Sequence, residues 1–177
     1  FSGVERSLIL INDTDEAWSH TLKIWLVSEE GQILESASRD VCLGARSQSA
    51  YELGELFAFS DIGSIDGYLI AELDGIRTAR RILDSAVRKV CPHHLELAAQ
   101  IVGNCVKVHV SANCFIHELS LLPELVALDR VEVSQERITL LPGEEIDLVI
   151  DCSTSDDARR VAGEIESITW SLNRLMN

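Results

Sequence analysis

The chain has 177 residues and a mass of 19.6 kDa, with 46% hydrophobic and 25% charged residues. Domains usually run to about 100–150 residues, so the length fits one large domain or two small ones. No apolar run approaches the roughly 20 residues of a transmembrane helix, and Pro and Gly are too sparse for a collagen-like or disordered chain. Fifteen basic residues against 29 acidic ones give a net charge of -14, which disfavours nucleic acid and anionic membrane as partners because both require concentrated positive charge. The chain opens at Phe1 rather than Met, from which a processed chain or an excised piece is expected.

The five cysteines, Cys42, Cys91, Cys105, Cys114 and Cys152, form no CxxC motif and are odd in number. A secreted sandwich more often carries an even, paired set, and no basic-then-apolar pattern opens the sequence. A reducing compartment, the cytoplasm, is therefore the expectation. Two pairs with one free thiol would satisfy the same count.

Short strand signals recur along the first half, with turns between them. Ser7 to Ile11 is apolar and is stopped by the polar cluster Asn12-Asp13-Thr14-Asp15. Thr21 to Val27 puts Leu22, Ile24 and Leu26 on one face and Lys23, Trp25 and Val27 on the other, the period of a strand. Glu29-Glu30-Gly31-Gln32 reads as a hairpin connection with Gly31 left-handed, and Ile33 to Val41 as the returning strand. Arg46 to Leu53 is extended and Ser-rich, and Tyr68 to Leu73 is apolar. Asp74-Gly75 is a strong turn before Ile76 to Leu83.

A boundary is expected near Ala86 to Glu96, where Arg88 and Lys89, Pro92 and His93-His94 interrupt the pattern. Beyond it Val106, Val108 and Val110 alternate with Lys107, His109 and Ser111, and Phe115, His117, Leu119 and Leu121 are expected to share one strand face. Pro142-Gly143 marks a tight turn between Ile138 to Leu141 and Ile146 to Ile150. Gly163 to Leu175 is apolar near helical spacing, but Thr169 and Trp170 equally favour a strand. The acid excess is shared by both halves. The predicted architecture is all-β: two tandem immunoglobulin-like β-sandwiches, residues 1–89 and 90–177.

The sequence offers little catalytic chemistry. The adjacent carboxylates Glu29-Glu30, Glu144-Glu145 and Asp156-Asp157 fall in expected turns and read as solvated, whereas a glycosidase holds two carboxyl groups roughly 5–10 Å apart across a cleft. Cys91, His93 and His94, with Cys105, His109, Cys114 or His117, lack the repeated short spacing of a zinc site. In Gly63-Ser64-Ile65-Asp66-Gly67 the serine stands one place too early for a nucleophile elbow. No glycine pattern for a nucleotide is present. No catalytic residue, metal site or cofactor is expected in this chain.

Of the three tryptophans, Trp25 reads as the buried core tryptophan of an immunoglobulin-type sandwich, although it alternates with the apolar face. Trp170 lies in the last segment. Trp18, beside a polar turn, is the candidate platform for stacking a sugar ring.

Leu140-Leu141-Pro142-Gly143-Glu144-Glu145, followed by Ile146 to Ile150, resembles the C-terminal immunoglobulin-like domain of β-mannosidase-type enzymes in glycoside hydrolase family 2. There a pattern like S-D-N-x-F-x-L-L-P-G-E precedes the closing strands. Here the stretch runs from Ser134 to Glu144 and differs at the D-N and aromatic positions. Val106 to Leu122, with Val-x-Val-x-Val-Ser-Ala-Asn-x-Phe, is similar to that family's preceding strand pair. In the first half, Asn12-Asp13-Thr14, Leu22 to Val27, Glu30 to Leu34, Tyr68 to Leu73 and Ala79-Arg80-Arg81 resemble, in order, the sandwich that follows the family's barrel.

The resemblance implies a non-catalytic C-terminal fragment whose parent hydrolyses terminal β-mannosides. The implied partners are the (β/α)₈ catalytic barrel and the other domains of the parent chain. The family's acid/base and nucleophile glutamates lie in that barrel, so none is carried over to this chain. The alternatives are a free-standing carbohydrate-binding module using Trp18, or a protein-interaction module using an edge strand.

Overall fold

The structure, a computed structural model, describes residues 7–57, 65–82, 95–127 and 129–172. Residues 83–94, which contain most of the expected boundary, lie outside that set, as do Cys91, His93, His94, Gly63 and Ser64. The chain divides into two compact units, Phe1–Glu29 with Ile33–Val87 and Glu30–Gln32 with Arg88–Asn177. Both are built from antiparallel sheets, and the fold is all-β and sandwich-like.

The first unit contains β1 (Ser7–Asn12), β2 (Trp18–Ser28), β3 (Ile33–Leu43), β4 (Ser47–Glu52), a single helical turn α1 (Leu53–Leu56), β5 (Gly67–Leu73) and β6 (Ile76–Arg81). β1 and β4 form a two-stranded sheet, and the other strands form a four-stranded sheet in the order β3-β2-β5-β6. The turns follow local chemistry. Gly31, at φ 84°, takes the left-handed position. Asp74 and Gly75, at φ 51° and 76°, both turn left-handed between paired Leu73 and Ile76, which suits the twist of an antiparallel hairpin. Leu34 is the extra residue of a bulge, since Leu26 pairs with Glu35 while Val27 pairs with Ile33.

Alternation along β2 buries Leu22, Ile24 and Leu26, which join Leu10, Val41 and Leu43 in one core. Each such side chain contributes about 1.5–3 kcal/mol by leaving water. Trp25 corrects the expectation of a core tryptophan. It lies outside that core and is only half-buried, on the face carrying Lys23, with the Arg77 guanidinium 5.3 Å from its ring centroid. The period of two puts Trp25 out of phase with the leucines, and phase decided its place over composition.

The second unit contains β7 (Leu95–Val102), β8 (Cys105–Ala112), β9 (Ile116–Leu121), a 3-10 turn (Pro123–Leu125), β10 (Val131–Val133), β11 (Ile138–Leu140), β12 (Glu145–Cys152), α2 (Ser155–Gly163), α3 (Ile165–Ile168) and β13 (Thr169–Trp170). Its sheets run β10-β12-β8-β7 and β11-β9-β13. Val106, Val108, Val110, Leu148 and Ile150 from the first sheet meet Leu119, Leu121 and Leu140 from the second in a single core. Leu141-Pro142-Gly143-Glu144 closes with Glu144 N–H donating to Leu141 O at 3.1 Å, with Gly143 at φ 82°. Pro at the second and Gly at the third position define a type II turn. Because β11 and β12 belong to different sheets, this turn carries the chain across the sandwich.

Two segments depart from the sequence pattern. The alternation expected from Phe115 to Leu121 breaks at Glu118, whose φ is 52°. Ile138 pairs with Leu119 but Leu140 pairs with Ile116, so β9 carries one extra residue. Ile116, rather than His117, therefore joins Leu119 and Leu121 in the core. The final segment is both things its composition allowed, a helical turn at Ile165–Ile168 and then the short strand Thr169–Trp170 against β9. It is preceded by α2, a helix that the sequence pattern had shown only as the turn Asp156-Asp157.

Candidate functional site

Trp18 and His20 share the face of β2 that buries Leu22, but they lie beyond the end of β5, whose pairing with β2 stops at Leu73 opposite Leu22. Trp18 is consequently half-buried: it packs against the core while part of the indole stays in solvent. Its ring centroid lies 5.3 Å from that of His20 at 52°, and His20 Nδ1 is 3.6 Å from Asp74 Oδ1. An aromatic plane beside an imidazole and a carboxylate can offer stacking and hydrogen bonds to a polar ring.

The Asn12-Asp13-Thr14 cluster is a built loop. Asn12 is 2% exposed, its Nδ2 donates to Glu16 O at 2.8 Å and Gly44 O at 2.7 Å, and its Oδ1 accepts from Thr14 N at 3.0 Å and Thr14 Oγ1 at 2.7 Å. Every polar atom of that side chain is thus used to fasten two loops, a structural role. A shallow depression of about 270 Å³ beside it is lined by Ile11, Asp13, Arg46 and Gln48, and Trp18 does not line it.

The face of the first unit's four-stranded sheet opposite the Leu22, Ile24 and Leu26 core, where Val27 and Ile70 are also buried, carries a cluster that sequence reasoning missed. Glu72 accepts from Arg77 Nε at 3.0 Å and Nη2 at 2.5 Å, and Lys23 Nζ approaches its other oxygen at 3.3 Å. Burial raises the Glu72 pKa, but the hydrogen bonds from Arg77 and Lys23 outweigh it and leave the carboxyl below its ordinary value. Arg77 also covers Trp25. The detectable signal was the register that Asp74-Gly75 imposes, which places residues 72 and 77 opposite each other.

On the outward face of β8 and β12, His109 Nδ1 lies 2.8 Å from Asp147 Oδ1, and its Nε2 lies 3.7 Å from Glu145 Oε2. The hydrogen bond to Asp147 raises the imidazole pKa against a smaller opposing effect of desolvation, with both carboxylates adding attraction. Two same-face pairs further along these strands, Cys105 Sγ meets Asp151 Oδ1 at 2.8 Å, which pushes the thiol up and away from nucleophilic thiolate character. His117 is shifted the other way, burial holding its pKa down.

The paired carboxylates divide in their environments. Glu29 is 6% exposed and Asp157 2% exposed, which corrects the expectation that all of them are solvated. Asp157 is buried because it caps α2: its N–H donates to Thr154 Oγ1 at 3.1 Å, and Thr154 Oγ1 donates to its carboxylate at 2.9 Å. Glu144 closes its own turn, accepting from Leu141 N at 2.8 Å. Among the described residues no three of His, Cys, Asp and Glu come together in a way that could hold a metal ion. Cys42, Cys105, Cys114 and Cys152 are not joined by disulfides.

No protein-family model matches the sequence, and no curated protein matches it. Solved structures share its fold. A β-D-mannosidase from Dictyoglomus thermophilum superimposes with a TM-score of 0.56 at 13% identity, over 94% of this chain and 21% of that one. An exo-chitosanase from Amycolatopsis orientalis gives 0.55 at 13% identity, over 88% of this chain and 23% of that one. A complex of a variant of that chitosanase with PNP-β-D-glucosamine gives 0.56 at 14% identity, over 90% and 23%. The chain thus spans less than a quarter of the length of the enzymes it resembles.

Proposed function

We propose that this chain is a non-catalytic, C-terminal immunoglobulin-like portion of a glycosidase of the β-mannosidase type in glycoside hydrolase family 2. Its parent hydrolyses terminal β-mannosides with carboxylates on a (β/α)₈ barrel, and this chain buttresses that barrel. The observation that carries the reading is the match in fold over 88–94% of this chain to enzymes of which the matched part is only 21–23%. The Leu140 to Glu145 stretch resembles a motif of the same family.

The test is an immunoblot of the source cells with antibody to this chain, followed by assay of the captured protein on a β-mannoside and a β-glucosaminide. A band several times heavier that cleaves the mannoside is the expected result. Cleavage of the glucosaminide alone would keep the glycosidase and reject the mannosidase. A band near 19.6 kDa without hydrolysis would overturn both.

The half-buried indole of Trp18 beside His20 favours a second reading, a sugar-stacking module. Calorimetric titration with mannose and glucosamine oligomers would show binding that Trp18→Ala abolishes. Absence of heat, or unchanged affinity in the variant, would dismiss it.

A further inference from the structure

Among the described residues β7 ends its sheet, and its outer edge is built to receive another strand. Val102 pairs with Cys105 across the two-residue turn Gly103-Asn104, with Gly103 at φ 63°. The pair closing such a turn exchanges both its backbone hydrogen bonds. Counting back from it, Glu96, Ala98, Gln100 and Val102 bond to β8. The N–H and C=O groups of Leu97, Ala99 and Ile101 therefore point away from the sheet. The other side of β8 fixes the same parity, because Ala112 N–H donates toward β12, to Glu144 O at 2.9 Å, and Asn104 O accepts from Cys152 N–H at 3.0 Å. Among the described residues, no further strand pairs with β7.

Edge strands are ordinarily protected by lysine, proline, a bulge or shortness. β7 has eight residues, Leu-Glu-Leu-Ala-Ala-Gln-Ile-Val, with one charge at Glu96, no proline and an unbroken register with β8. From Ala98 to Val102 every side chain is exposed, including Ile101 at 43% and Val102 at 47%.

We propose that this edge pairs with the same edge of a second copy of the chain, antiparallel about a two-fold axis at Ala99. A two-fold contact must be self-complementary, and this sequence is so in that register. Ala99 meets its own equivalent, and the small side chain permits close approach on the axis. Leu97 meets Ile101 of the other copy, an apolar pair. On the opposite face Ala98 meets Gln100, and Glu96 meets Val102, so the one charge never faces itself although the whole chain is strongly acidic. Main-chain hydrogen bonds from Leu97, Ala99 and Ile101 join the two four-stranded sheets into one. No such self-matching register selects a strand from an unrelated partner.

The experiment is sedimentation of this 177-residue chain across a dilution series from micromolar to hundreds of micromolar. A doubled mass at the upper end is expected. Ala99→Pro removes only an outward N–H and leaves the β7–β8 ladder intact, so it should abolish the dimer while circular dichroism stays unchanged. Ala99→Lys and Ala99→Glu should each be monomeric alone, by like charges directly opposed, and should dimerise when mixed. The mixture also secures the test if the proline variant misfolds. A wild-type monomer at every concentration, a dimer that survives the charged variants, or a mixture that stays monomeric would each overturn the proposal.

Discussion

The imidazole of His109 and the carboxylate of Asp147 face each other across β8 and β12, with Nδ1 and Oδ1 2.8 Å apart. The contact lies on an exposed sheet face, His109 keeping 46% of its side chain in solvent. It ties the two central strands of the second unit's larger sheet. Because the partner favours the imidazolium, the folded pKa stands above the ordinary 6.5. The contribution to stability is therefore complete below that unfolded value and fades as pH rises through the folded one. The expected outcome is a thermal midpoint difference between wild type and Asp147→Asn that is larger at pH about 5.5 than at pH about 8. Proton NMR titration of His109 should give a higher pKa in wild type than in the variant. Equal values would remove the ion pair as a source of stability.

Glu72 and Arg77 make the opposite case. The Glu72 carboxyl is 18% exposed and Arg77 16%. Burial alone would raise the carboxyl, yet its donors hold it below 4.5. A depressed carboxylate stabilises the fold above its unfolded pKa, and that stabilisation is lost as pH falls through the folded value. Arg77→Met should cost about 1.5–3 kcal/mol at neutral pH, the worth of charge-assisted hydrogen bonds. It should also shift the acid unfolding midpoint upward. Urea melts at a series of acidic pH values measure both effects.

Much of the fold was legible in the sequence wherever one physical rule acted alone. The turns at Gly31, Asp74-Gly75 and Pro142-Gly143 follow from the φ values those residues tolerate, and the β2 and β8 cores follow from strict alternation. The sequence pattern failed where a local rule was interrupted by one residue. Glu118 carries no mark of a bulge, so the phase of β9 slipped unseen. Asp157 looks like a surface carboxylate until Thr154, three residues earlier, is read as its partner in a helix cap. The His109–Asp147 and Glu72–Arg77 contacts join residues 38 and 5 positions apart. They required the cross-strand register, which alternation within a single strand does not contain. Trp18 was found by type, but its half-buried place depends on where β5 stops.

The Thr154–Asp157 cap is the start of the one full helix in the described residues. Thr154 has extended geometry, φ -130° and ψ 157°, and its hydroxyl accepts from the Asp157 N–H. Thr154→Ala leaves that buried donor and the Asp157 carboxylate without the hydroxyl. A loss of about 1–2 kcal/mol is expected, and Thr154→Ser should recover most of it. Chemical denaturation of the three proteins decides the point. Equal stability of the alanine variant would mean that the packing of Ala158 and Val161 alone holds α2.

Two glycines separate backbone crowding from helix propensity. A Cβ on Gly67 would sit 2.1 Å from Val27 O and 3.1 Å from Ser28 Cα. Both atoms belong to the backbone of β2, the central strand to which β5 is bonded, and cannot swing aside as a side chain would. Gly67→Ala must therefore part β5 from β2 at its first pairs, and a loss of about 3 kcal/mol is expected, the upper end for overpacking. Gly163, the last residue of α2, would place a Cβ with nothing within 4 Å of it, and its φ is not positive. Gly163→Ala should raise stability by about 0.5–1 kcal/mol through helix propensity and a less flexible unfolded chain. Thermal and urea unfolding of both variants should move in opposite directions. A neutral Gly67→Ala would mean that the end of β5 can leave the sheet without loss, and that the first unit's sheet is held from Leu69 onward.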